Sequence, residues 1–153
     1  MKFVYNLVRR NPLFFAFLFP ALTDGVITLL GQSPQYWSNQ RMVNEASPAY
    51  YFLLTSPWIF ILGSLIWFLV LYRVFRKLKE PINLILMFLF ISGHSWGSTS
   101  WIWNLMRRNG IYDPSNQLSV ISAWFLPVLY FFLIGLLATY CLRVYILMLK
   151  SRR

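Results

Sequence analysis

The sequence predicts an all-α integral membrane protein: a bundle of four transmembrane helices, up-down-up-down, with both termini in the cytoplasm. Three observations predict it: a shortage of charge, four apolar runs, and an uneven spread of Lys and Arg. The 153 residues are 58% hydrophobic and 12% charged. A soluble domain averages about 25% charged residues, so this chain is short of groups to face water. Its aromatic content of 20% suits two interfacial belts, where amphipathic rings sit at headgroup level. The length fits a single domain over residues 1–153.

Each span needs about 20 helical residues. The first run covers 13–30, the second 50–72, the third 82–106 and the fourth 118–142. The gaps are short. Residues 31–49 carry Gln, Ser, Pro and Asn and read as a loop, and 73–81 form a tight basic turn. Residues 107–117 contain Asn109-Gly110 and Asp113-Pro114, both turn formers. No room remains for a soluble domain, a linker or a low-complexity tract.

Orientation follows from the basic residues. Lys2, Arg9, Arg10, Arg73, Arg76, Lys77, Lys79, Arg143, Lys150, Arg152 and Arg153 flank one side of the spans, eleven in all. Arg41, Arg107 and Arg108 flank the other, three in all. In short loops this asymmetry puts the richer side inside, and the expected location is a bacterial inner membrane. The first run has a basic start, but it is long and no small-x-small site follows it, so it reads as a retained span. The net charge of +10 is then topogenic and faces anionic headgroups. Without a soluble basic domain, nucleic acid is not an expected partner. Cys141 is the one cysteine, which excludes an intrachain disulfide and suits a small buried hydrophobe.

Inside the spans, Asp24 and the single histidine, His94, stand out. Both lie about 16–18 Å from the start of their runs at 1.5 Å per residue. Both runs go outward, so the two side chains share a depth and can meet. A carboxylate in hydrocarbon needs a partner, and His94 is the best candidate. The third run reads Ser92-Gly93-His94-Ser95-Trp96-Gly97-Ser98-Thr99-Ser100-Trp101. Gly93, Gly97, Ser100 and Asn104 form a small-residue helix-packing stripe expected to be buried against protein or a bound planar ligand, not lipid. Thr23, Gly25 and Thr28 surround Asp24, so the outer half of the bundle is more polar than the inner half. Pro20, Pro57 and Pro127 interrupt three spans and are expected to kink them.

These residues permit several chemistries beside simple interhelical glue. A carboxylate orienting an imidazole is a unit for acid–base catalysis, with Glu45 as a second acid if its loop folds inward. Asp24, His94 and Glu45 are three metal-ligand types, but no tight His-x-x-x-His spacing supports a metal site, and none is expected. A lone His beside Gly93 and Gly97 leaves space for a tetrapyrrole, since one axial His suffices for haem or a related pigment.

Asp24-Gly-Val-Ile-Thr28-Leu-Leu-Gly31, followed by Asn44-Glu45-Ala46-Ser47-Pro48, resembles a pattern in some small uncharacterised bacterial four-span membrane proteins. Those carry an Asp and a Thr in the first span and an Asn-Glu-x-x-Pro loop before the second. The resemblance covers the first third of the chain and implies that Asp24 and Glu45 belong to one site. The function expected is that of a small non-catalytic accessory subunit in a larger membrane assembly. Its partners would be other membrane protein subunits and bound lipid, met through aromatic and small-residue helix faces. The alternatives are a small enzyme acting on a lipid-like substrate through His94, Asp24 and Glu45, or a pigment- or haem-binding subunit with His94 as axial ligand.

Overall fold

The computed structural model describes residues 2–151, with side-chain environments from Tyr5 onward. Lys2, Arg152 and Arg153 of the charge count therefore lie outside the described side chains. The described chain is all helical. A short helix α1 (Lys2–Arg10) leads into α2 (Pro12–Gly31). Pro12 opens α2 at its first turn, where its missing N–H forfeits no helical bond. Asn11 marks the corner, nearly fully buried, and its Nδ2 donates to the Tyr72 carbonyl at 2.8 Å. α2 runs on through Pro20 without a break.

The second apolar run is not one helix. It divides into α4 (Ala49–Thr55) and α5 (Pro57–Lys77), after a short α3 (Pro34–Ser38) and a 3₁₀ turn. The break is chemical. A residue before proline is pushed out of the helical region, and Ser56 is extended at φ −175° and ψ 146°. Its Oγ then accepts from the Trp58 amide and caps α5. α4 folds back, so that a Cβ on Gly63 would lie 3.1 Å from the Phe52 ring. The long helix thus starts at Pro57 rather than 50 and continues to Lys77 rather than 72.

α6 (Ile82–Arg108) follows, then α7 (Gln117–Ala123) and α8 (Phe125–Lys150). The turn before α7 uses Gly110 at φ +70°, a conformation that favours glycine. Pro127 has no N–H for the Ala123 carbonyl, and the break between α7 and α8 falls there.

Three segments are long and apolar enough to cross a membrane: Pro12–Gly31, Pro57–Lys77 and Gln117–Lys150, with mean hydropathies of 2.0, 2.0 and 2.3. The fourth expected span, α6, has the length at 27 residues. Its far half is diluted by the run from Ser92 to Ser100, and it does not join the three.

α2 is the hub, packed by α5, α6 and α8. Near the termini, Leu13, Phe14, Phe17, Leu71, Phe75, Met87, Cys141 and Val144 form one buried cluster. Phe17 stands 5.2 Å from Phe75 and 5.3 Å from Phe90, centroid to centroid. At the far end Ile102, Met106, Ala123, Tyr130 and Ile134 form a second. If lipid surrounds these helices, close van der Waals contact and polar bonds hold them together, because hydrocarbon offers no hydrophobic drive between helices.

The far end is tied down by polar groups. The Arg108 guanidinium donates to the carbonyls of Leu30, Gly31 and Gln32 at 3.0–3.2 Å. Those carbonyls end α2 and lack helical partners, so a cation there also meets the negative end of the helix dipole. Trp101 packs on Gly31 so closely that any Cβ would fall inside the indole. Gln32, also buried, donates to the Thr28 and Asn44 carbonyls and accepts from the Asn44 amide at 2.9 Å. Tyr36 donates its hydroxyl to the Leu53 carbonyl at 2.9 Å. The 31–56 segment is therefore a folded cap on the bundle.

Candidate functional site

α2 and α6 run side by side in the same direction, which sets Asp24 and His94 at one level. The two meet: Nδ1 of His94 lies 2.9 Å from Oδ2 of Asp24. It is the one ion-pair contact among the described residues. An ionised carboxylate only accepts, so in that state Nδ1 carries a proton, and a neutral imidazole then presents its lone pair at Nε2. Nε2 has no protein hydrogen-bond partner among the described residues. The imidazole stacks on Phe90 at 6.4 Å. The pair is not sealed: 27% of the His94 side chain and 22% of the Asp24 side chain remain exposed.

Backbone geometry lets Asp24 in. A Cβ on Gly97 would lie 2.7 Å from Asp24 Oδ1, so only glycine leaves the carboxylate this position. Ser98, fully buried, donates to the His94 carbonyl at 2.6 Å. Its hydroxyl also approaches the Pro20 carbonyl at 3.5 Å. Inward of the pair, Phe90 fills the space against Phe17, Phe75 and Trp67.

The small-residue stripe is divided by the fold. Gly97 packs and Asn104 is half-buried, but Gly93 and Ser100 are exposed. Nothing lies within 4 Å of a Cβ placed on Gly93. The buried face of α6 is instead Asn83, Met87, Ser95, Ser98, Trp101, Ile102 and Met106. At 3.6 residues per turn the expected stripe is centred roughly a third of a turn away from that face. Within this chain, therefore, the stripe is not buried as a whole. Its Gly97 edge serves the Asp24 contact, and its Gly93 edge faces outward.

Glu45 does not join the pair. It lies in the 31–56 cap, where Oε1 accepts from the Ser47 amide at 2.8 Å. The cap covers the far end, and its acid is engaged in a local turn. No three His, Cys, Asp or Glu side chains gather anywhere among the described residues, so Asp24, His94 and Glu45 do not form a metal triad.

The structure adds Tyr130, which sequence reading passed over, and gives Ser95 of the polar run a place beside it. Tyr130 of α8 comes close to Ser95, Ser98 and Asp24. Its hydroxyl and that of Ser95 are buried, and the Ser95 and Ser98 hydroxyls are the polar groups beside the phenol. A mid-run Tyr three residues after Pro127 was the available signal, since a buried phenol ordinarily finds a partner. Two shallow clefts lie elsewhere: one of about 410 Å³ between Trp103, Tyr112, Val120 and Trp124, the other along α8. Neither is lined by His94.

Chemically, the site can hold and orient one imidazole, keep Nε2 available as base or ligand, and store a negative charge beside it. The Ser98 hydroxyl is bound to its own helix, and Cys141 belongs to the cluster near the termini. No protein-family model matches the sequence, and no curated protein or solved structure matches it.

Proposed function

We propose that the protein is a small non-catalytic subunit of a larger assembly in a bacterial cytoplasmic membrane, with four spans and both termini in the cytoplasm. The observation that carries this reading is the outward face of α6. Trp96 stands near the middle of that helix and is 81% exposed. Gly93 and Ser100 flank it with exposed backbone and hydroxyl. Tryptophan is favoured at membrane interfaces, where its N–H is wet. At mid-helix the indole N–H would face hydrocarbon unpaired, together with a small-residue groove that suits close helix approach. A second helix against this face satisfies both.

The test is purification in mild detergent, with mass and absorbance recorded. A second protein should co-purify in fixed ratio and be lost in Trp96→Leu and Gly93→Leu. A photo-crosslinker at position 96 should join that protein, whereas one at Leu69 of α5 should join lipid only. A monodisperse single-chain particle, with lipid adducts alone at position 96, would sink the reading.

A second reading rests on a different observation, the unpartnered Nε2 of a carboxylate-oriented His94 that is about a quarter exposed. Asp24 and His94 would then act on the polar head of a lipid-like substrate, or His94 would hold a tetrapyrrole. The resemblance to small bacterial proteins with an Asp/Thr first span fits either reading. A Soret or chlorophyll-like band in the purified protein favours the pigment. A colourless single-chain particle whose lipid composition changes in His94→Ala favours the enzyme.

A further inference from the structure

On the side of α8 turned away from α2, a groove of about 400 Å³ is lined by Phe132, Gly135, Leu136, Thr139, Tyr140 and Arg143. Its floor is bare backbone, for nothing lies within 4 Å of a Cβ on Gly135. From Phe132 to Arg143 the helix advances about 16 Å. That is the depth of one leaflet, half of a hydrocarbon core about 30 Å thick. Arg143 sits at the end of the slot nearest the termini. Its neighbours Cys141 and Val144 pack in the cluster with Leu13, Phe14 and Leu71, where α2 begins and α5 nears its end. In a bilayer whose surface lies at that level the guanidinium meets headgroups, with the Tyr140 phenol three residues, about one helical turn, before it.

Charge identifies the occupant. Arg143 is exposed and has no ion-pair partner among the described residues. Around this end stand Arg9, Arg10, Arg73, Arg76, Lys77, Lys79 and Lys150, with Glu80 as the one acid between them. A guanidinium recognises phosphate through paired N–H donors, and an apolar slot one leaflet long fits an acyl chain.

We propose that this groove binds an anionic phospholipid, its acyl chain along Phe132, Gly135 and Leu136 and its phosphate on Arg143. The site is independent of what covers α6, and of which way the protein faces across the membrane.

The experiment reconstitutes the full chain in phosphatidylcholine bilayers containing spin-labelled phosphatidylglycerol or spin-labelled phosphatidylcholine. The motionally restricted fraction should favour phosphatidylglycerol by about fivefold, the effect of one basic residue at a membrane surface. Arg143→Gln should bring the two lipids level. Gly135→Leu, on an exposed face where folding is unaffected, should lower the restricted fraction of both. A diazirine on the phosphatidylglycerol acyl chain should label the peptide holding Phe132 and Leu136. Equal restriction of the two lipids by the natural chain overturns the proposal, as does a preference that survives Arg143→Gln. An equal loss in Lys150→Gln also overturns it, because diffuse surface charge then explains the preference.

Discussion

Asp24 and His94 were brought together by counting residues. Two outward runs, each with its polar group about 16–18 Å along, make contact possible if the helices are neighbours. What the count does not supply is neighbourhood itself, and α2 packs along α6 because Gly31 admits Trp101 and Gly97 admits Asp24. Tyr130 and Ser95 escaped for a related reason. Their meeting depends on how α8 is rotated, and its nearly uniform apolarity gives no periodic signal for that. Removing one member of the pair leaves the other partly buried and unsatisfied. Asp24→Ala and His94→Ala should each lower stability by about 1–3 kcal/mol, read as unfolding in detergent. The double variant should lose less than the sum, since the two act as one unit. Additive losses, or failure of paired cysteines at 24 and 94 to crosslink, would show that the contact is not formed.

At the level of elements, α6 shows where periodicity misleads. Gly93, Gly97, Ser100 and Asn104 are a regular stripe in the sequence, and small residues do permit close approach. The helix nevertheless turns Ser95, Ser98 and Ile102 inward. The contacts of His94 and Trp101 with α2 fix its rotation, and the glycines then fall on the flank and the outside. α5 shows the complementary case. Pro57 was visible as an interruption, yet whether a proline kinks a helix or starts one depends on its neighbour, and Ser56 supplies the cap. The two glycines of α6 should therefore behave differently. Gly97→Ala places a Cβ 2.7 Å from Asp24 Oδ1, so the carboxylate must move. The isolated protein should unfold at lower temperature by several degrees, about 1–3 kcal/mol for a strained polar contact. Gly93→Ala meets nothing and should leave that temperature unchanged. Equal melting of the two variants would mean that α6 is rotated from the position described.

For the whole molecule, the charge asymmetry acquires a physical footnote. Three basic residues oppose the eleven, but Arg108 is committed to the last carbonyls of α2. A cation fixed there stabilises a helix end and is a weak topological signal. The far end also carries Asp113, whose carboxyl is held below the usual range by hydrogen bonds from the Ser115 hydroxyl and amide. With Glu45 beside Ser47, the far end is close to neutral, whereas the end with the termini holds Glu80 against its many cations. The molecule therefore has one strongly positive end and one balanced end, and in the proposed topology the positive end is the cytoplasmic one. Cysteines replacing Ser38 and Ser115, both exposed at the far end, should react with an impermeant thiol reagent added to intact cells. A cysteine replacing Lys79, exposed in the 78–81 turn between α5 and α6, should react only after the membrane is opened. The same experiment reads the span count, for α6 separates Lys79 from Ser115. If α6 lay along the surface instead of crossing, those two positions would fall on one side. Labelling of Ser38 and Lys79 together, from outside, would place α5 outside the bilayer and overturn the bundle topology altogether.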